Sequence, residues 1–229
     1  MSAQDDLHVA ISNGCLAAVE KALKAGAKVD VPLEGSGWLP VHGAAAGDSP
    51  EILELLIERK ADVNAATGLK KNAPVHLAAK EGNMSMLKAL EKSGADFEAK
   101  NKEKKRPIHY ACERSKLDVV KFLMERGVDP LTPDLNKCTP FDYTQLVDDK
   151  TFASDDNQTI MKILVELKVN KTGGGLQKAP DGSMMFEGII TQIGSNVNQP
   201  GTWWWDPEKM CVVEGPRPQG SKHPNLGTA

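Results

Sequence analysis

Apolar residues recur at helical spacing through most of this 229-residue chain and give way near its end to short runs of a different kind. Ile52, Leu55 and Leu56 fall on one helical face, as do Leu87 and Leu90, and then Val119, Val120 and Leu123. Each of these predicted helices follows another that opens on a proline: Pro40, Pro74, Pro107 and, later, Pro140 mark the starts. Proline at a first helical position wastes no hydrogen bond, because that N–H has no acceptor within the helix. Gly26, Gly94 and Gly127 stand where a second helix must end in a left-handed residue. Beyond about Asn170 the apolar runs are MMFEGIITQI (184–193), WWW (203–205) and MCVVE (210–214). The first and third have β-type composition, and Asp206-Pro207-Glu208-Lys209 is a turn that would pair the tryptophans with MCVVE in a small hairpin.

The helical part is periodic. His8, His42, His76 and His109 recur at a nearly constant interval of about 33 residues, and the four prolines keep the same interval independently. Aligned on this grid, the segments read LPVHGAAAGDSPEILELLIERKADVN, APVHLAAKEGNMSMLKALEKSGADFE and RPIHYACERSKLDVVKFLMERGVDP. A degenerate earlier copy is LHVAISNGCLAAVEKALKAGAKVD, and a later one runs from CTPFDYTQ to NQTIMKILVELK. The pattern resembles the ankyrin repeat, T-P-L-H-x-A-A followed by a glycine-containing turn, a second apolar helix and G-A-D-V-N. The resemblance implies an all-α solenoid of helix-turn-helix units with loop fingers, in which stacked neighbours bury the face that one helix pair cannot bury alone. Five repeats are expected, at about residues 6–37, 38–71, 72–104, 105–137 and 138–169, so the solenoid fills 1–169 and a C-terminal arm fills 170–229.

Departures from the pattern carry energetic expectations. Thr139 is the only threonine before a repeat proline; Leu39, Ala73 and Arg106 replace it, removing a side-chain cap worth about 1 kcal/mol each. Lys60 stands at a glycine position, which costs about 1 kcal/mol if its φ is positive. The fifth repeat carries an insertion, LVDDKTFASDDNQ, covering 146–158 between its helices. The resemblance implies that the repeat histidines bond backbone in adjoining loops and are structural, with Asp142 in their place in the fifth repeat. One repeat apart, they are too distant to share a metal.

The arm is rich in helix breakers: glycine and proline together are over twice as frequent from Asn170 onward as before it. Its charges cancel, so its apolar patches define it. In an extended strand Trp203 and Trp205 point one way and Trp204 the other, so no single flat surface buries all three. Three arrangements meet this need: folding back over the fifth repeat, disorder, or insertion into another protein with ordering on binding. The last is the slightly favoured expectation. Burying three indoles of roughly 150–250 Å² contributes at most about 11–19 kcal/mol, comparable with the roughly 4–15 kcal/mol cost of association.

Composition narrows the function classes. A net charge of −3 draws in neither nucleic acid nor an anionic membrane. No secretory signal or membrane-length apolar run is present in the sequence, which reads as soluble and intracellular, cytoplasmic by default. The widely separated Cys15, Cys112, Cys138 and Cys211 support neither a zinc site nor a disulfide framework. Sequons at Asn83, Asn157 and Asn170 are discounted, since they need a secretory route. Gly173-Gly174-Gly175-Leu176-Gln177-Lys178 lacks the G-K-[ST] ending of a phosphate loop and reads as a linker. Asp148, Asp149, Asp155 and Asp156 lack the glycine and closing glutamate of a calcium loop. No nucleophile constellation is visible, and no metal or cofactor is expected.

The resemblance implies recognition through the fingers and the inner face of the first helices. Those positions are Trp38 in the second repeat, Lys70, Asn72, Lys80 and Glu81 in the third, and Lys102, Lys105, Glu113 and Arg114 in the fourth. Lys70, Lys71, Lys100, Lys102, Lys104, Lys105 and Arg106 concentrate on two adjacent fingers, predicting a local basic edge for a protein partner with an acidic segment. No aromatic residue interleaves with them, which disfavours single-stranded nucleic acid. The expected function is a non-catalytic protein–protein interaction module, an adaptor or structural subunit in a hetero-complex, with Trp203, Trp204 and Trp205 as a second contact site. The alternative is a regulatory inhibitor or chaperone that masks a client through the concave face.

Overall fold

A computed structural model of the chain describes residues 2–32, 37–145, 147 and 154–164, and the backbone alone of 165–172, 176–178, 184–186, 203–206 and 211–214. Residues 146 and 148–153 of the insertion, Gly173–Gly175, Cys211's thiol and the tryptophan side chains of the arm lie outside the described residues. Two compact units are present, Met1–Ile160 and Met161–Ala229.

In the first unit the helices come in pairs: α1 (Ala3–Ser12) with α2 (Leu16–Lys24), α3 (Pro40–Ala46) with α4 (Pro50–Glu58), α5 (Pro74–Glu81) with α6 (Met84–Lys92), and α7 (Pro107–Glu113) with α8 (Leu117–Glu125). Then come α9 (Pro140–Gln145) and α10 (Asp155–Thr172). The first helices stack in a row, α1 on α3, α3 on α5, α5 on α7 and α7 on α9, and the second helices do the same from α2 through α4 to α6. This is the solenoid that the sequence predicts.

All four repeat prolines open a helix. The residue before each is sterically barred from helical geometry, and Leu39, Ala73 and Arg106 accordingly have ψ of 159°, 161° and 166°. At the far end of each pair, Gly26, Gly94 and Gly127 have φ of 98°, 78° and 80°, and Lys60 takes the same left-handed position with φ 66°. Its strain is therefore present.

The buried face of the second helices differs slightly from expectation. It is formed by Ile52, Leu53 and Leu56, repeated as Met86, Leu87 and Leu90 and as Val119, Val120 and Leu123. Leu55 is only half-buried and Leu53 takes its place, because the stripe that meets two neighbours runs i, i+1, i+4. Asn83 ties the array lengthwise. Its Oδ1 caps α6 by accepting from Met86 N–H (2.9 Å), while its Nδ2 donates to the Gly47 carbonyl (3.1 Å) and to Asp48 (2.7 Å) of the preceding repeat.

The fifth repeat corrects one boundary. Asp155, Asp156, Asn157 and Gln158 belong to the first turn of α10, where the acids face the positive end of the helix dipole, so the insertion is shorter than expected. Asn157 is fully buried and donates to the Thr144 carbonyl (3.0 Å), which leaves its sequon inaccessible.

In the second unit, β1 (Leu176–Lys178) pairs antiparallel with β2 (Met184–Phe186), and β3 (Trp203–Asp206) with β4 (Cys211–Glu214). The second hairpin is the one that the turn at 206–209 predicts. The first is a correction: part of the segment read as a linker is a strand, without the β-branched or aromatic residues that would mark it. Trp203 lies opposite Glu214, Trp204 opposite Val213 and Trp205 opposite Val212. That register puts positions 203 and 205 on one face of the ribbon and 204 on the other.

Candidate protein-interaction surface

Between successive helix pairs the chain reverses in short fingers, closed by backbone bonds from Thr67 N–H to the Asn72 carbonyl (3.4 Å), Asn101 N–H to Lys105 (3.0 Å) and Asp134 N–H to Cys138 (2.9 Å). Fingers also bond to each other. Lys102 N–H donates to the Lys70 carbonyl (2.9 Å) and Leu135 N–H to the Glu103 carbonyl (2.8 Å), so three fingers form one row.

Side chains fix this row from beneath. His42 Nε2–H donates to the Asn72 carbonyl (2.9 Å) and His76 Nε2–H to the Lys105 carbonyl (3.0 Å). The Nδ1 atoms of His76 and His109 accept the N–H of Ala73 and of Arg106, each at 3.1 Å. A ring that accepts at one nitrogen and donates at the other is neutral, and burial supports this by pushing His42 and His76 below the ordinary histidine range. His109 is pushed down to about 4, chiefly by burial and against the pull of Asp134. Its Nε2 has no hydrogen-bond partner among the described residues; the ring instead meets Tyr143 edge-on at 5.7 Å. In the fifth repeat Asp142 does the work of the imidazole Nδ1, accepting from Thr139 N–H (2.6 Å) and Oγ1–H (2.8 Å). These contacts support the structural reading of the repeat histidines.

A second set of locks is absent from the sequence expectations. Asn101 Oδ1 accepts from Glu103 and Lys105 N–H, both at 2.9 Å, and Asp134 Oδ1 accepts from Asn136 (2.8 Å) and Cys138 (3.0 Å) in the next finger. Tyr110 then receives Asn101 Nδ2–H (3.1 Å), and Tyr143 donates to Asp134 Oδ2 (2.7 Å). Burial and the Asp134 bond together push the Tyr143 hydroxyl up to about 12. A signal for these locks is present in the sequence: Asn101 and Asp134, like Tyr110 and Tyr143, stand one repeat apart.

The expected contact residues divide. Trp38 is 38% exposed, Lys102 and Lys70 are exposed, and so are Glu81 and Arg114 at the end of the first helices, with Lys80 and Glu113 half-buried beside them. Asn72 faces inward, its Oδ1 accepting from Asn101 (2.9 Å) and Tyr110 (3.3 Å). Lys105 is also drawn in: its side chain is 12% exposed, with Nζ 3.2 Å from Glu103 and 4.7 Å above the Tyr143 ring. Burial opposes its charge, but Tyr143 and Glu103 more than offset this and raise its pKa above the usual lysine value.

The basic edge is consequently narrower than its seven residues suggest. Arg106 is buried against Glu98 (2.7 Å) and Thr132 (2.9 Å), and Lys70 lies 3.8 Å from Glu103. Lys71, Lys100, Lys102 and Lys104 remain exposed, joined by Lys137 on the next finger. Leu69 and Leu135, also absent from the sequence expectations, are the most exposed large apolar residues among those described, at 90% and 60%.

Among the described residues no cluster of histidine, cysteine and acidic side chains could hold a metal ion, and no helix is long and apolar enough to cross a membrane. Cys15, Cys112 and Cys138 are thiols, and burial pushes that of Cys112 far up.

Two family models match the chain, both described as ankyrin repeats, over residues 7–57 and 66–134, together just over half of its length. Among curated relatives, the chain is 42% identical over 91 residues to the ankyrin repeat protein nuc-2 of Neurospora crassa, covering 39% of this chain and 8% of that protein. It is 36% identical over 95 residues to the B-cell lymphoma 3 protein homolog of Mus musculus, covering 42% and 21%. It is 33% identical over 97 residues to the human ankyrin repeat and SOCS box protein 3, covering 42% and 18%. The matched part of the chain therefore spans about a fifth or less of the length of these relatives.

Proposed function

Because the chain belongs to the ankyrin-repeat family, whose repeats are generally protein–protein interaction modules, we propose that it is a non-catalytic adaptor or structural subunit of a hetero-complex. The observation that carries this reading is the bonded row of fingers, rigid beneath and lined above by exposed side chains. A preorganised surface loses little entropy on binding. The inner ends of α5 and α7, with Lys80, Glu81, Glu113 and Arg114, extend the same recognition surface. The arm is a second, separable site: a two-stranded ribbon is marginal alone, and a register that puts positions 203 and 205 on one face and 204 on the other favours a partner that encloses it.

Affinity capture of partners from cells tests this with four proteins: the intact chain, one with Lys80, Glu81, Glu113 and Arg114 changed to alanine, one ending before Gly173, and one with Trp203, Trp204 and Trp205 changed to alanine. The solenoid variant is expected to lose one set of partners and the two arm variants another. Unchanged capture by all three variants would refute the helix ends and the arm as contact sites, and capture of no specific partner by the intact chain would refute the interaction reading. Loss with the solenoid variant alone would favour an inhibitor or chaperone that masks its client through the concave face.

A further inference from the structure

Leu69, Lys102 and Leu135 occupy the same place on three successive fingers, each one repeat from the next. A lone exposed leucine is ordinary. Two at equivalent positions, 90% and 60% exposed on either side of an exposed lysine, make a spaced apolar pair on one continuous row. Lys71, Lys104 and Lys137 add an independent observation. They too stand one repeat apart, and each holds a left-handed backbone, with φ of 52°, 59° and 65°. The finger before them fills this position with Gly37, φ 68°, the residue that adopts it without strain. Three strained, exposed lysines where glycine fits better are a cost to the fold, and such outliers mark positions kept for what the side chain does. Neither these three nor Lys102 is ion-paired among the described residues, unlike Lys70, Lys105 and Arg106.

We infer that the fingertips bind an extended acidic peptide segment that carries two apolar side chains about six residues apart, one for Leu69 and one for Leu135. The spacing follows from the geometry. Leu69 and Leu135 are separated by two backbone bonds between fingers, Lys102 to Lys70 and Leu135 to Glu103, and by two single-residue steps; at about 4.8 Å for each bonded pair and about 3.8 Å for each step they lie about 17 Å apart, the reach of five to six residues at about 3.3 Å each. The acidic residues between them meet the lysine row. A short segment feels these local charges, since salt screens the rest of the molecule beyond about 8–10 Å, whereas a broad anionic membrane also meets the chain's net charge of −3.

This rests on reading the array as an interaction module, and the test separates the two. The probe is a fluorescein-labelled synthetic peptide with two leucines about six residues apart and glutamates between them, read by anisotropy on the full chain. Its control has the same composition with the leucines adjacent. The spaced peptide is expected to bind about tenfold tighter or better, more weakly as salt rises, and Leu69→Ser or Leu135→Ser removes the advantage. Lys71→Gly, Lys104→Gly and Lys137→Gly together raise the denaturation midpoint yet weaken binding about tenfold, an opposition that a damaged fold does not produce. Equal binding of the two peptides, undiminished binding by the glycine variant, or co-sedimentation with phosphatidylserine vesicles without peptide discrimination would each overturn the inference. If cellular partners are lost with the Lys80, Glu81, Glu113 and Arg114 variant but kept when Leu69→Ser and Leu135→Ser are combined, the inference fails while the interaction reading stands.

Discussion

Replacing Tyr143 by phenylalanine keeps the ring that packs edge-on against His109 and removes one hydroxyl. That hydroxyl donates to Asp134 Oδ2 at 2.7 Å, and Asp134 is only 6% exposed, holding the fourth repeat's finger through Asn136 and Cys138 N–H. A hydrogen bond to a charged group contributes about 1.5–3 kcal/mol, and a carboxylate oxygen stripped of its donor beneath the surface recovers little from water. The equivalent change one repeat earlier, Tyr110→Phe, is milder. Two neutral bonds are lost, from Asn101 Nδ2 (3.1 Å) and to Asn72 Oδ1 (3.3 Å), but those two atoms keep their bond to each other at 2.9 Å and no buried charge is stranded, so the cost is about 1–2 kcal/mol. Urea titration followed by circular dichroism should rank the variants in this order, with the slope unchanged. For a chain of this size the Tyr143 variant should melt roughly 3–12 °C lower. Adding Asp134→Asn to Tyr143→Phe removes the stranded charge and should restore the midpoint to within about 1 kcal/mol of the parent. A Tyr143 variant within about 0.5 kcal/mol of the parent, or a more damaging Tyr110 change, would show that the finger lock does not rest on this bond.

Other positions give sharp contrasts. Lys60→Gly should stabilise by about 0.5–1 kcal/mol by relieving φ 66°, while Gly82→Ala, with φ 82° and a Cβ that would meet Lys116 Cδ at 2.7 Å, should destabilise by about 1–2 kcal/mol; paired urea midpoints check the opposite signs. Asn83→Ala should cost about 1–2 kcal/mol, since it removes a cap together with the bonds to Gly47 and Asp48, and thermal melts measure it. Stability should also fall with acid in a defined window. His109 has a folded pKa of about 4 against 6.5 for the free side chain, so below about pH 6.5 the unfolded chain takes up a proton that the folded one refuses. The contribution is constant above that range and declines toward pH 4, by at most about 1.4 kcal/mol per pH unit, and His109→Asn should flatten the curve; an unchanged slope would argue against a neutral buried imidazole.

The sequence made the array legible because its periodicity is written in residues with one structural use. Proline in phase with histidine marks both a helix start and the ring that ties it to the next finger, so the fold, the helix starts and the structural role of the histidines could be read without coordinates. The binding surface was less legible, because charge counts along a chain do not say which charges the fold consumes. Arg106 and Lys105 look identical in sequence to Lys104, yet Glu98 and Glu103 neutralise the first two and nothing among the described residues pairs with the third. The same limit hid Leu69 and Leu135, since an isolated leucine in a polar loop predicts burial as readily as exposure. What could have exposed them is the repeat itself. Positions 69, 102 and 135, like 71, 104 and 137, must have equivalent surroundings, so a leucine that alternates with lysine at one such position cannot be a core residue in every copy. In a solenoid, column composition is therefore a better guide to the surface than local sequence. Here it separates the columns that build the fingers, Asn101 with Asp134 and Tyr110 with Tyr143, from those left over for recognition.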